Sequence, residues 1–457
     1  MGADTLIAGK TSRDIAASVE TAVAVGDLVP LQPLPSVREL AARLGVSPST
    51  VAAAYRDLRM RGVVLSEAGR ATRVGGRPPV APSSTARPVE GESAAVRAPA
   101  PSSSNLRDVS DGNPDPELLP DLSAVLATVE SPRYLYGAPT IVPELAEMAQ
   151  ELFADVADQL GHHTGPPTVV GGALDGAERV LGAWARPGDR VVIEDPGHTG
   201  VLDLVRAMGL EPVGVAVDAA GVVPDDLERA LGRQPVAFVV TPRAHNPTGA
   251  AIDDERAVAL RAVLARHPDM TVVENDHASL IAGAPYVSLS VGRQRWAVLR
   301  SASKFLGPDL RLAFVAADPR TLSRVSGRQL LGTGWVSHLL QHLVVALWAV
   351  PEVRDTVRHA ERVYHERRQT LLDQLSERGI MARGRSGLNV TIPVEHEAPV
   401  IQQMQTRGWG LRAGEVHRMR SAPFVRVTTA TLRPDESTRL AADLAAVLEH
   451  RSASHLT

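Results

Sequence analysis

The chain has no cysteine. That absence excludes disulfide staples, thiolate metal sites and a cysteine nucleophile together. No run approaches the roughly 18–20 uncharged apolar residues that span a bilayer. The opening MGADTLIAGK also lacks the apolar core of a secretory signal, so the expected location is cytoplasmic with no membrane partner. Lysine is almost missing: Lys10 and Lys304 are the only two among 48 basic residues. A general exchange of lysine for arginine explains the pattern, and an interior lysine that survives it calls for a chemical reason. Against these absences stand 457 residues, of which 44% are hydrophobic, enough for two or three domains with sizeable cores.

The net charge of -4 says little about partners, but its distribution does. Between Leu34 and Arg73 seven arginines face Glu39, Asp57 and Glu67, an excess of four positive charges in one short stretch. One end of the chain is suited to an anionic partner. Residues 75–104 contain no aromatic, leucine, isoleucine or methionine and cannot bury enough apolar surface to order themselves. They read as a flexible linker. Beyond it, β-rich runs at 189–194, 236–240, 270–274 and 296–301 alternate with helical stretches such as 253–266. That alternation predicts an α/β domain with a mostly parallel sheet covered by helices. Long helices are expected over 336–377 and a mixed α and β segment over 388–450. The expected division is a basic N-terminal head over 1–76, a linker over 77–107, a large domain over 108–340, and long helices with a small domain over 341–457. No repeat of solenoid spacing is present.

In the head, Val37, Leu40, Ala41, Leu44, Val46, Val51, Ala54 and Leu58 recur at helical spacing, broken at Leu44-Gly45-Val46. Two helices are implied. Ser47 is placed as an N-cap and Pro48 as the first helical residue of the second helix, whose N-terminal turn presents backbone N–H groups and small polar side chains. Candidate DNA contacts are Ser36, Arg38, Ser47, Ser49, Thr50 and Arg56. Residues 63–74 read as two short strands joined at Gly69-Arg70, a wing that adds Arg70 and Thr72 to the contacts. In order, these features resemble a GntR-type winged helix-turn-helix. Pro48 replaces an arginine often found after the turn serine, and Ala71 replaces the second wing glycine. Double-stranded DNA is the implied partner, read as paired half-sites by a homodimer.

Lys304 follows the strand run WAVLRS, where burial lowers a lysine's pKa and favours the neutral amine that attacks an aldehyde. Arg311 offers a guanidinium fork and Ser301 a hydroxyl to a phosphate. Gly171-Gly172-Ala173, between a strand and a helix, offers backbone N–H groups to the same phosphate. Together these resemble the fold-type-I pyridoxal-phosphate domain of class I aminotransferases, a likeness running from about 108 to 450. The resemblance implies pyridoxal 5′-phosphate held as an aldimine on Lys304, with Gly172, Ala173, Ser301 and Arg311 on its phosphate. It implies Asn246 of HNPTG at the ring hydroxyl, His198 of EDPGH stacked on the ring, Tyr136 lent to a neighbouring subunit's phosphate, and Arg426 gripping an effector carboxylate.

The run ENDH (274–277) lines up with Glu-Asp-Asp-Tyr, which puts Asn275 at the pyridine nitrogen and His277 at the ring hydroxyl. A slip of one residue would put Asp276 at the nitrogen instead. An aspartate there keeps the ring protonated and electron-accepting, and asparagine does not. A winged helix joined to such a domain resembles the MocR family of regulators. The implied function is a transcription regulator that senses pyridoxal phosphate or an amino compound, with at most weak transaminase activity. An active aminotransferase with a DNA-binding appendage is the alternative, and a sensor that has lost its cofactor is a third reading.

Overall fold

A computed structural model describes residues 6–24, 26–29, 32–60, 63–65, 72–74, 106–130, 132–161 and 165–454. The chain divides into two compact units, one of residues 1–84 with 185–191 and 200–212, the other of 85–184, 192–199 and 213–457.

Among the described residues of its N-terminal stretch, the first unit has helices α1 (Ser12–Ala24), α2 (Val37–Leu44) and α3 (Pro48–Met60) and strands β1 (Val64–Leu65) and β2 (Arg73–Val74). The break expected at Gly45 is a left-handed C-cap at φ 64°, which glycine adopts without steric cost. Ser36 and Glu39 form a reciprocal capping box at the start of α2. The Ser47 hydroxyl accepts from Thr50 N–H at 3.2 Å, so it caps α3 as its position suggested. Ile15, Val19, Leu40, Val51, Tyr55 and Leu58 pack into one core with Val64 and Val74. Burying each of the larger aliphatic side chains contributes about 1.5–3 kcal/mol. The two strands pair antiparallel, Val64 opposite Val74 and Leu65 opposite Arg73. Gly69, Arg70 and Ala71, the expected wing tip, and residues 77–105 of the expected linker lie outside the described residues.

The second unit opens with β3 (Arg107–Asp108). The large sheet is built from β4 (Thr168–Val170), β5 (Arg190–Asp195), β6 (Glu211–Asp218), β7 (Gly221–Val222), β8 (Ala237–Val240), β9 (Thr271–Asp276), β10 (Trp296–Ser301) and β11 (Ala313–Ala317). Their order across the sheet is β4-β11-β10-β9-β8-β5-β6-β7. Strands β8 to β11 are buried along their whole lengths, as expected of a sheet covered on both faces. The expectation of parallel pairing holds for β8, β9 and β10. It fails at β11, which runs antiparallel between β10 and β4 and makes the sheet mixed. Residues 302–312 are too short for a helical crossover, so the chain turns back beside β10.

After helix Pro351–Ser376 come β12 (Asn389–Pro393), β13 (Trp409–Gly410), β14 (Arg412–Ala413) and β15 (Phe424–Thr428). Strands β12, β15 and β14 form a small three-stranded sheet, and β13 pairs with β3. The C-terminal ends of the parallel strands carry the loop 241–249, His277 and Lys304 to one rim, where open α/β sheets place their ligand sites.

Candidate functional site

At one part of the rim, β4 ends at Val170, and Gly171-Gly172 lead into helix Ala173–Trp184. Gly172 has φ +116°, and a Cβ there would lie 2.9 Å from Nη2 of Arg311. Arg311 Nη2 donates to Gly171 O at 3.0 Å, and the side chain is exposed. A helix N-terminus and an exposed guanidinium thus converge on one spot, which suits a phosphate. Gly171 N–H already donates to the Asp175 carboxylate at 2.7 Å, leaving the amides of Gly172 and Ala173 to do the cradling. Ser301, at the end of β10, is buried, and its hydroxyl donates to Ser303 Oγ at 3.0 Å.

Next to this lies a cavity of about 160 Å3 whose wall includes Gly112, His198, Asn246, His277, Lys304 and Asn389. Lys304 Nζ donates to Gly112 O at 2.8 Å. Burial lowers its pKa to about 8, with Arg426 adding to the shift and Asp111 opposing it. The rings of His198 and His277 stand 6.2 Å apart, tilted by 31°. Burial depresses both, His198 to about 4 with help from Lys304 and His277 to about 3 with help from His198, so both are neutral near pH 7.

Strand alternation puts Asn275 on one face of β9 and Glu274 and Asp276 on the other. Asp276 is fully buried and accepts from Arg243 Nη2 at 2.8 Å and Arg300 Nε at 3.0 Å. Burial alone would raise its pKa, but the two guanidiniums overcome it and hold the carboxyl at about 2. Arg300 is in turn paired with Asp155 at 2.8 Å. Glu274 accepts from Tyr286, Ser288 and Ser290 hydroxyls and from Leu289 N–H. Burial raises its pKa against those bonds. Asn275 is buried, its Oδ1 has no hydrogen-bond partner among the described residues, and it is not in the cavity wall itself.

Arg426 lies on β15 and is 3% exposed. Its Nη1 donates to Asn246 Oδ1 at 2.8 Å and its Nη2 to Ser110 O at 2.5 Å. Asn246 therefore offers its amide N–H groups, not its oxygen, to the cavity. Tyr136 is 95% exposed, meets Trp335 edge-on at 5.8 Å, and is not part of this cavity.

Sequence reasoning did not single out the segment Ser110–Asn113, His245 or His417. The first carries only a turn-like Asp-Gly-Asn-Pro signal and had no motif to point at the cavity. His245 sits inside HNPTG, its Nδ1 2.7 Å from Thr248 Oγ1 and its Nε2 3.3 Å from Glu194. His417, 3.4 Å from Arg426 Nη1, is brought in from the small sheet's end of the chain with no local signal.

In the other unit Ser36, Arg38, Ser47, Ser49 and Arg56 are exposed, and Thr50 and Thr72 are half-buried. Ser47 Oγ lies 2.7 Å from Ser49 Oγ and 2.8 Å from Thr50 Oγ1, a hydroxyl cluster at the N-terminus of α3. Lys10, the second lysine, donates to Leu44 O at 2.7 Å, where it caps α2.

The cavity's residues fit pyridoxal phosphate. The Gly172–Arg311 cradle is one that a methyl group would fill, and the buried Nδ1 of His198 and Oδ1 of Asn275 lack partners that a polar ring would supply.

Residues 107–444 match the family of class I and II aminotransferases, and residues 11–74 match the gntR family of bacterial regulatory proteins. The vitamin B6 salvage pathway transcriptional repressor PtsJ of Salmonella typhimurium is 38% identical over 96% of this chain and 99% of its own. The pyridoxine biosynthesis regulator PdxR of Corynebacterium glutamicum is 28% identical over 78% of this chain and 76% of its own. Among solved structures, the α-aminoadipate aminotransferase LysN of Thermus thermophilus matches with a TM-score of 0.66 at 21% identity, covering 76% of this chain and 93% of that one. With a gntR-type head, an aminotransferase-like domain and a site that fits pyridoxal phosphate, the chain belongs to the MocR family of transcription regulators.

Proposed function

We propose that this regulator binds operator DNA as a homodimer in the cytoplasm and changes its DNA affinity when pyridoxal phosphate occupies the cavity around Lys304. The observation that carries the reading is strand register: Ser301, three residues before Lys304, lies opposite Ala313, and Ala313 lies opposite Val170, so Lys304 and the Gly172–Arg311 cradle share one rim. Lys304 is the attachment point. Gly172, Ala173, Ser301 and Arg311 hold the phosphate, His198 stacks on the ring, Asn246 and His277 donate to its hydroxyl, and Asn275 faces its nitrogen. Tyr136, exposed on its own chain, reaches the phosphate of the partner. When bound, the cofactor supplies an aldehyde and an electron-accepting ring.

The protein's residues restrain that second property. Asp276 is committed to Arg243 and Arg300 on the far face of β9, so its carboxylate is not available to hold a proton on the ring nitrogen. A site that attaches the cofactor firmly but draws electrons weakly suits sensing better than turnover. The vitamin B6 roles in the names of PtsJ and PdxR support the same effector. The second reading is an active aminotransferase, in which Arg426 would have to give up its bonds to Asn246 and Ser110 to grip a substrate carboxylate.

For pyridoxal phosphate to regulate, it must bind two states of the protein with different affinities, and DNA must do likewise. Fluorescence anisotropy on the DNA upstream of this chain's own coding sequence, with and without pyridoxal phosphate, tests this. The affinity should change in the wild type and stay constant in Lys304→Ala. Equal affinities in the wild type would sink the proposal.

A further inference from the structure

An arginine that grips a carboxylate end-on uses its two terminal nitrogens, one for each oxygen. In this site both already hold protein oxygens. Arg426 Nη1 is on Asn246 Oδ1 at 2.8 Å, and Nη2 is on Ser110 O at 2.5 Å. The lateral Nε–H is buried with no surface open to a ligand. The main chain of Gly112 runs beside the guanidinium, where a Cβ on it would lie 3.3 Å from Nη2. Asn246 and the main chain of Ser110 therefore stand where a ligand carboxylate would bind.

The segment that does this is pinned. Ser110 N–H donates to Asp108 Oδ1 at 2.8 Å, Gly112 N–H to Thr428 Oγ1 at 3.1 Å, and Asn113 N–H to Asp111 Oδ1 at 3.0 Å. On its N-terminal side, Val109 O accepts from Thr428 N–H at 2.7 Å. On its C-terminal side, Asp115 is fixed by Arg367 at 2.7 Å. The same strap reaches Lys304 through Gly112 O. It reaches two cationic groups of the site, Lys304 and Arg426, with two carbonyls of three consecutive residues. Only one of those bonds has to yield to an aldehyde. When the Lys304 amine condenses with it, nitrogen loses two hydrogens, one water leaves, and a C=N bond forms. The hydrogen bonds of Arg426 are untouched by that step.

We infer that the strap Ser110–Asn113, with Asn246, makes the site selective for a phosphorylated aldehyde that carries no carboxylate, so that amino acids are not its effectors. This rests on the proposal that pyridoxal phosphate attaches to Lys304.

The experiment loads the full chain with pyridoxal phosphate and titrates it with L-alanine and, separately, with ethylamine, which lacks only the carboxylate. Visible absorbance follows the bound cofactor, and borohydride trapping with mass spectrometry locates it on Lys304 or on the amine. Compared at equal concentrations of unprotonated amine, alanine and ethylamine should act alike on the wild type. In Thr428→Val, which removes the acceptor for Gly112 N–H, alanine should gain an advantage of about tenfold as Arg426 opens. An advantage of that size in the wild type overturns the inference while leaving the attachment intact. No preference in either protein overturns the strap's part in it. Absence of any adduct on Lys304 overturns the attachment, and the inference with it.

Discussion

Asn275 and Asp276 are consecutive residues of β9 that meet opposite environments: the aspartate lies between two guanidiniums, and the asparagine keeps a buried oxygen without a partner. The register of β9 on β10 sets this relationship. Asp276 lies opposite Arg300 and Asn275 opposite Leu299. A slip of one residue would exchange the faces and strand a carboxylate away from both arginines.

Asp276→Asn should therefore damage the fold and not the ligand site directly. It leaves two cations, one of them almost fully buried, short of their counter-charge, at a cost of about 3–5 kcal/mol. Denaturant unfolding should show a lower midpoint with an unchanged slope. Because the folded pKa of Asp276 is about 2 against an ordinary 3.8, its contribution is present above the unfolded value and fades as pH falls through 3.8 toward 2. The deficit of the variant should shrink over that range.

Asn275→Asp should do the reverse. Without a ligand it buries an unpaired carboxylate and lowers thermal stability. With pyridoxal phosphate bound, the new carboxylate gains a cationic ring nitrogen, and the thermal shift caused by the ligand should exceed that of the wild type. A smaller shift would mean that position 275 does not face the nitrogen.

Gly172→Ala places a methyl carbon 2.9 Å from Arg311 Nη2, at a backbone φ that L residues rarely adopt. The end of Arg311 must swing away from the phosphate position. Affinity for pyridoxal phosphate should fall roughly tenfold, about 1.4 kcal/mol. Affinity for pyridoxal, which has no phosphate, should change little. Isothermal titration of the two ligands separates these outcomes.

Lys304 has a folded pKa of about 8 against an ordinary 10.5, so its neutral, nucleophilic fraction grows as pH rises and is nearly complete by pH 9. The rate of cofactor attachment, followed by stopped-flow absorbance, should climb through pH 8 and then level off. A rate still rising steeply toward pH 10 would contradict the burial of Lys304. Lys304→Ala should yield no borohydride-trapped adduct, because Lys10 is already bonded to Leu44 O.

On DNA, Arg38→Ala and Arg56→Ala should each weaken binding across sequences and reduce the salt slope by about 1 for every phosphate that the arginine no longer neutralises. Thr50→Ala should instead alter preference among operator variants at constant salt slope. Anisotropy titrations over a range of salt concentrations distinguish the two.

Much of this was legible along the chain because the relevant signals are local. The αL glycine at 45, the caps at Ser36 and Ser47, and the strand ends before Gly171 and Lys304 each depend on a few neighbouring residues. Other features were not. Ser110, Asn246, His417 and Arg426 are separated by up to 316 residues and meet only when β15 and the loop after β8 are brought to one rim. No periodicity records which carbonyl an arginine will hold.

The sequence by itself determined that one lysine of two stands at a strand end before a phosphate-binding arginine, and that a basic winged helix precedes a poorly hydrophobic linker. Side-chain chemistry and local backbone preference suffice for those statements. Only the tertiary structure decided that Asp276 turns away from the cavity and that Arg426 is already capped by Ser110 and Asn246. The first depends on which face of a buried strand can stabilise a carboxylate, and that is set by arginines on other elements. The second depends on main-chain oxygens, which every residue carries and no sequence distinguishes.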